Sequence, residues 1–431
     1  MSEARRRMDS SRLSVLLVSP MAPSPPRFGA QARTHGLLSY LGKDHDLTAL
    51  VLHDDDETPA TSGTAMRAYC RDVTFVRNPN GATGWRRRTL QFRSWLSTRS
   101  YQRHLFAVPA FQAALDKVLA ERTFDVVFVN LPYLAHYRLR RSPPGSRTPA
   151  IVIDSHDVGY DLARQIATSA ASFGRRLHAK LNWRKLAREE LGAYNDADGV
   201  CVCSTADQKR LAADAPNANT FVIPNAADVE RLQPRPTDPA PDGRTVLFFG
   251  LLATVPNVDG VLFFLREIWP LIAAAHPDAR FVVVGANPAP EILAQAGPRV
   301  TIVGPVDDLR PHLAAAAVIA VPLRLGSGTR LKILEAWAMG RPVVSTTLGA
   351  EGLGGVPGQH LLIADDAADF ARAVLRVLAE PALADGLGRA GRALAAERYS
   401  WRSAARSLET FFKQILARRE AAPRTERGLV T

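Results

Sequence analysis

Cysteine is scarce in this 431-residue chain: only Cys70, Cys201 and Cys203 occur. An odd number with no repeating spacing excludes a disulfide scaffold, and Cys201-Val-Cys203 lacks the second Cys/His pair of a zinc site. Such usage points to a reducing, cytoplasmic setting. Long hydrophobic runs are missing as well. "LAAAAVIAVPL" (313–323) comes closest to a membrane span and falls short of the ~18–20 apolar residues needed. Arg5 to Arg7 followed by "LSVLLVS" (13–19) imitates a signal peptide, but the run is short and no small-residue cleavage site follows. It reads as a buried first strand, in a soluble protein attached to membranes at most peripherally.

Two further gaps narrow the function. No Asp or Glu occurs from Val73 to Leu115, whereas Arg77, Arg86, Arg87, Arg88, Arg93, Arg99 and Arg103 do, in a chain of net charge +12. Trp85, Phe92, Trp95, Tyr101 and Phe106 interleave with them. Such a stretch, centred on residues 85–106, suits an anionic membrane surface or a lipid-linked phosphate; a solvated helix face is the plainer alternative. No helix-turn-helix, zinc finger or RNA-binding aromatic motif accompanies it, so nucleic acid is not expected as a partner. Nor does a Gly-x-Gly-x-x-Gly follow a first strand, which argues against a dehydrogenase; "GLGGVPG" (352–358) has no such context.

What is present is a rhythm. Short β-branched runs recur at 13–19, 47–53, 73–77, 125–130, 150–156, 199–204 and 220–225, then at 245–250, 280–285, 300–304, 318–323, 342–347 and 360–365. Helical stretches separate them. Continuous apolar strands alternating with helices predict parallel sheets covered on both faces. "QPRPTDPAPDGR" (233–244), with four prolines, reads as a stiff linker. The expected architecture is α/β: a first domain over 1–232, a second over 245–400, a helix over 401–418 packing back on the body, and a frayed tail over 419–431. In doubly wound sheets ligands bind beyond the carboxyl ends of the strands, so two such domains are expected to make a cleft.

One stretch carries chemistry: "LGSGTRLKILEAWAMGRPVVSTTLGAEGL" (325–353). Gly326 and Gly328 permit a tight loop, and a helix is expected to begin near Thr329, where exposed N–H groups favour an anion. Gly328, Lys332 and Glu335 fall at i, i+4 and i+7, hence on one face, about 10 Å from end to end. That is the reach of a nucleoside diphosphate from phosphates to ribose. Arg330 and Lys332 can neutralise the diphosphate, and Glu335 can accept from ribose hydroxyls. The bland alternative is an exposed Lys-Glu pair worth ~0.3 kcal/mol. Against it, "ILEAWAMG" is apolar apart from Glu335, whose carboxylate therefore needs a partner.

The same stretch resembles the signature of family 4-type glycosyltransferases with the two-domain GT-B fold. "FFGLLATVPNVDGVLFFLREIWP" resembles the first βαβ unit of that family's donor domain, and "SPMAPSPPRFGAQARTHGLLSYL" its strand–glycine loop–helix opening. "VIDSHDVGYDLARQ", "VCSTADQKRL" and "VIPNAADVERLQP" resemble later landmarks. The resemblance implies a GT-B fold of two Rossmann-like domains facing across a cleft. It also implies retaining, metal-independent transfer from a nucleoside diphosphate sugar to an acceptor hydroxyl on a glycan or lipid-linked molecule, without a cofactor. By the family pattern Glu335 is the ribose ligand. The pattern's first glutamate falls at Ser327, and its usual donor-phosphate Arg falls at Leu251, so Arg330 and Lys332 are expected to supply that charge. Gly328 and Thr329 would offer backbone to the phosphates. Gly29 would bring backbone to the donor phosphate, or is an ordinary turn glycine. His156 in "DSHD" would touch the transferred sugar, or is a structural histidine, with Asp154 and Asp157 as neighbours. Val306 would pack at the base, or is a plain connector; Asn225 would face the cleft, or is turn chemistry. A nucleotide-sugar epimerase of the same architecture and a non-catalytic nucleotide-sugar-binding protein are the competing functions.

Overall fold

The computed structural model describes residues 12–421, apart from 27, 55–58, 82–83, 170–172 and 327, and apart from the side chains of Trp85, Arg87, Ser169, Phe173 and Arg175 within helices. The expectations placed on Arg5 to Arg7, on Ser327 and on the tail beyond 421 lie outside the described residues, as do those on the side chains of Trp85 and Arg87.

All thirteen β-branched runs form strands. The first seven are β1 (Ser14–Ser19), β2 (Asp46–His53), β3 (Asp72–Arg77), β4 (Val126–Asn130), β5 (Ala150–Asp154), β6 (Gly199–Val202) and β7 (Thr220–Val222). They make a parallel sheet ordered β3-β2-β1-β4-β5-β6-β7. The others are β8 (Thr245–Phe249), β9 (Arg280–Val284), β10 (Val300–Val303), β11 (Val318–Val321), β12 (Val343–Ser345) and β13 (Leu362–Ile363). These form a second parallel sheet, β10-β9-β8-β11-β12-β13. Central strands β4, β5, β11 and β12 are buried throughout, whereas edge strands β3 and β7 are only half-buried. Helices on both faces account for that pattern. In each sheet the chain order reverses beside the first strand, between β1 and β4 and between β8 and β11, and crevices open at such points.

Eight helices matter below: α1 (Gly29–Asp44), α2 (Gly84–Trp95), α3 (Tyr101–Phe106), α4 (Gly159–Ser169), α5 (Phe173–Asp196), α6 (Val255–Phe263), α7 (Leu331–Ala338) and α8 (Trp401–Ala421). The chain divides into two compact units. One comprises 1–25, 37–223 and 405–431; the other comprises 26–36 and 224–404. Residues opening α1 therefore count with the second unit, and most of α8 with the first. Within the first unit Phe411 stacks on Phe221 at 4.9 Å and Phe412 meets Phe128 edge-on at 5.6 Å. Arg419 donates to the Thr148 carbonyl at 2.9 Å and lies 3.5 Å from Asp198, which carries α8 three residues past the expected end at 418.

Helix α7 begins at Leu331 instead of near Thr329. Gly326 and Gly328 take φ of +132° and +71°, conformations that other residues rarely adopt, and Arg330 is extended. The Thr329 carbonyl accepts from Asn225 Nδ2 at 3.1 Å. Gly328 is thus in a loop, and the shared helical face is carried by Lys332 and Glu335 alone. At the far end Gly340 at φ +63° closes the helix, with Arg341 N–H donating to the Ala336 carbonyl and Gly340 N–H to that of Trp337.

Candidate active site

In the second unit, the loops after β8 and β11 flank the reversal of strand order. From the β11 side, α7 sends Lys332 into the crevice. Its Nζ donates to Asn257 Oδ1 at 2.8 Å and stands 3.9 Å from the Phe248 ring centroid. Asn257, on α6, in turn donates from Nδ2 to the Leu251 carbonyl at 2.8 Å. A Cβ placed on Gly250 would sit 3.4 Å from the ammonium. The side chain of Lys332 therefore ends against the loop after β8. Lys332 is 9% exposed. Desolvation brings its ammonium down to about 7; Arg330 pushes the same way and Glu335 opposes.

Glu335, one turn further along α7, is half-buried. Burial raises its carboxyl to about 7, against the opposing pull of Lys332 and Arg231. No hydrogen bond reaches that carboxylate among the described residues. Arg330 lies in front of the helix. Its Nη1 donates to the Gly328 carbonyl at 2.9 Å, and the guanidinium covers Gly326. Thr329 is buried, and its Oγ1 has no hydrogen-bond partner among the described residues.

Gly29, the first residue of α1, stands beside this loop: a Cβ there would come within 3.2 Å of Leu331 Cδ1. Four residues on, the fully buried Arg33 donates to Asn225 Oδ1 at 2.9 Å, and Asn225 holds the Thr329 carbonyl. Val306 lies apart from this group. It follows edge strand β10, two strands from β8, and packs half-buried on the core of its unit.

His156 belongs to the first unit, just past the carboxyl end of β5. Its Nε2 lies 3.1 Å from Asp154 Oδ2, and its carbonyl accepts from Cys203 Sγ at 3.2 Å. The neighbouring turn is braced from beneath: Ser155 bonds both the Asp157 carbonyl and the buried Tyr194 hydroxyl. Glu190 of α5 accepts from Tyr160 N–H at 2.9 Å, capping the start of α4. Desolvation raises the Glu190 carboxyl well above the ordinary range.

Both halves of the chain match known sequence families. Residues 243–380 fit the family model described as Glycosyl transferases group 1, and residues 27–231 fit Glycosyltransferase Family 4. The chain belongs to the family 4-type glycosyltransferases. One relative of this chain is the GDP-mannose-dependent alpha-(1-6)-phosphatidylinositol monomannoside mannosyltransferase of Mycolicibacterium smegmatis. It is 29% identical over 252 residues, 53% of this chain and 64% of that protein. Matched curated relatives are covered over 36% to 64% of their own length. Among solved structures, sucrose-phosphate synthase from Thermosynechococcus elongatus aligns with TM-score 0.70 at 20% identity, over 94% of this chain and 100% of that one. Anabaena HepE, solved with UDP-glucose, aligns with TM-score 0.64 at 15% identity, over 93% and 100%. These likenesses establish the GT-B fold for this chain.

Two residues of the site are not visible in sequence patterns. Asn257 sits in "TVPNVDG", and asking what a buried lysine must bond would have led to it. Arg33 has no local signal; only the tertiary contact with Asn225 reveals it.

Proposed function

We propose that this glycosyltransferase moves a hexosyl group from a nucleoside diphosphate sugar to an acceptor hydroxyl, with retention at the anomeric carbon and without a metal. The observation that carries this reading is the Lys332 ammonium, buried in the crevice where strand order reverses. A desolvated cation costs several kcal/mol unless an anion answers it, and a diphosphate is such an anion. Arg330 and the amides of Gly328 and Thr329 add donors on the same side, so that leaving-group charge is met by fixed dipoles and cations. Glu335 accepts from the ribose, Val306 lies at the base, Gly29 offers backbone to the phosphate, and His156 contacts the transferred sugar.

In the step itself the C1–O bond to the β-phosphate breaks while a C1–O bond to the acceptor forms on the same face. The acceptor proton passes to the departing phosphate oxygen, so no protein nucleophile is required. HepE was solved with UDP-glucose and the M. smegmatis relative is named for GDP-mannose, which makes both donors the first to try. The relative is also named for a phosphatidylinositol monomannoside, which supports a glycan on a lipid as the acceptor class; we place its encounter at the cytoplasmic face of a membrane as part of the proposal. No helix among the described residues is long and apolar enough to cross one.

The test is a thermal-shift screen of nucleoside diphosphate sugars on wild type and on Lys332→Ala, followed by product NMR. The expected result is a ligand that raises the Tm of wild type only, and a product that keeps the donor's anomeric configuration. Equal shifts in both proteins sink the site; an inverted product sinks the mechanism.

A further inference from the structure

The first unit carries an exposed apolar patch that the transfer reaction does not use. Phe92 and Trp95 on α2 and Leu96 just past its end follow at i, i+3 and i+4 and are 57%, 44% and 77% exposed. On α5, Leu177 and Leu181 follow at i and i+4, 40% and 43% exposed. The two rows are neighbours: Trp95 Nε1 donates to His178 Nδ1 at 3.0 Å, with their rings 6.3 Å apart. Lys185 Nζ, donating to the Ser94 carbonyl at 2.5 Å, and Glu189, accepting from Ser100 N–H at 3.0 Å, lock α5 to α2 and α3. The patch is therefore built on rigid elements.

Its frame is basic. Arg93, Arg99, Arg176, Lys180 and Arg184 are all exposed around it. No carboxylate occurs from Val73 to Leu115, and a second acid-free stretch runs from Leu162 to Arg188. The stretch at 85–106 marks only half of this surface; α5 supplies the rest. Apolar side chains with an aromatic among them, ringed by cations, match the boundary between headgroups and acyl chains. Self-pairing of the face would set cation against cation, because a two-fold interface meets its own patch.

We infer that the joint face of α2 and α5 docks on an anionic lipid bilayer, the leucines and aromatics entering the headgroup boundary and the basic frame pairing with lipid phosphates. This adds to the transfer reading without depending on it. Docking would hold the His156 turn, capped by Glu190 of the same α5, close to a lipid-borne acceptor.

Vesicle flotation tests it, using phosphatidylcholine alone and phosphatidylcholine mixed with phosphatidylglycerol. Wild type should float with the mixed vesicles only. Each basic residue near an anionic surface is worth about fivefold in partitioning, so Arg176→Glu with Lys180→Glu should weaken binding by at least roughly 25-fold. Leu96→Ser with Leu177→Ser, both at exposed positions, should weaken it roughly tenfold or more. Donor-induced thermal shifts measured on the same samples should be unchanged, which separates loss of docking from loss of the nucleotide site. The inference is overturned if wild type floats equally with both vesicle types or with neither, or if both variants float as wild type does. It is equally overturned if wild type is a dimer that the leucine variant dissociates.

Discussion

Two lysines on two helices show how differently one side chain can be used. Lys332 of α7 is buried against Asn257 and Phe248 in the second unit, with its proton held weakly. Lys180 of α5 stands in the open among Arg176 and Arg184, in a stretch without acids. Both lower the stability of the free protein, one through desolvation and the other through like-charge repulsion. On the two proposals above, each charge answers something outside the chain: a compact anion in the crevice, an extended anionic surface at the helix face. The difference lies in dielectric. Burial makes one cation strong and specific, while exposure makes many cations weak and additive.

Lys332→Met gives the largest effect and the most direct way to break the comparison. Losing one fixed cation at a developing diphosphate should cost about 3 kcal/mol of barrier, more than a hundredfold in kcat/KM. The free protein should not lose Tm near pH 7, since the cost of burying an ammonium disappears with it. The sign follows from the direction of the shift. The folded pKa, about 7, lies below the ordinary 10.5, so between those values the unfolded chain holds a proton that the folded chain lacks. Stability from this group is full above 10.5 and falls as pH drops toward 7. The Tm advantage of the methionine variant should therefore shrink as the pH is raised from 7 toward 10. A variant several degrees less stable that still binds donor would make Lys332 a structural residue.

Glu335→Gln comes next. A hydrogen bond to an ionised acceptor is worth about 2 kcal/mol, so donor affinity by calorimetry should fall roughly thirtyfold. Here the folded pKa, about 7, lies above the ordinary 4.5, and the ionised carboxylate costs stability at and above pH 7. The glutamine variant should be at least as stable as wild type at pH 8, and no more stable below pH 4.5. Asn225→Ala should do less. It frees the Thr329 carbonyl and Arg33 at once, loosening the loop by about 1–2 kcal/mol, and should raise the KM for donor with a smaller change in kcat. An unchanged KM would mean that Asn225 braces the fold and not the loop.

The strands and their parallel order were legible because doubly covered sheets leave continuous apolar runs, as at Val126–Asn130 and Ala150–Asp154. Lys332 and Glu335 were legible because two charges interrupt an otherwise apolar helix. What escaped is non-local. The start of α7 moved because Asn225, more than a hundred positions away, takes a carbonyl that a longer helix would have used. Nothing near Arg33 announces that its guanidinium is buried. Phe173–Asp196 reads as an ordinary basic helix until Trp95 is found bonded to His178.

The smallest effect sharpens the comparison most. Lys180 has cationic neighbours at i−4 and i+4, and each such pair on a helix costs a few tenths of a kcal/mol at low ionic strength. Lys180→Gln should therefore stabilise the free protein by about 0.5 kcal/mol in dilute buffer. The gain should vanish at 1 M salt, where the Debye length is about 3 Å and exposed charges no longer sense one another. The Tm difference produced by Lys332→Met should survive the same salt, because ions do not reach a desolvated ammonium. Unfolding curves at two salt concentrations thus assign each lysine its source of destabilisation. If the Lys332→Met difference also faded with salt, that ammonium would be solvated and the crevice would lose its claim on a diphosphate.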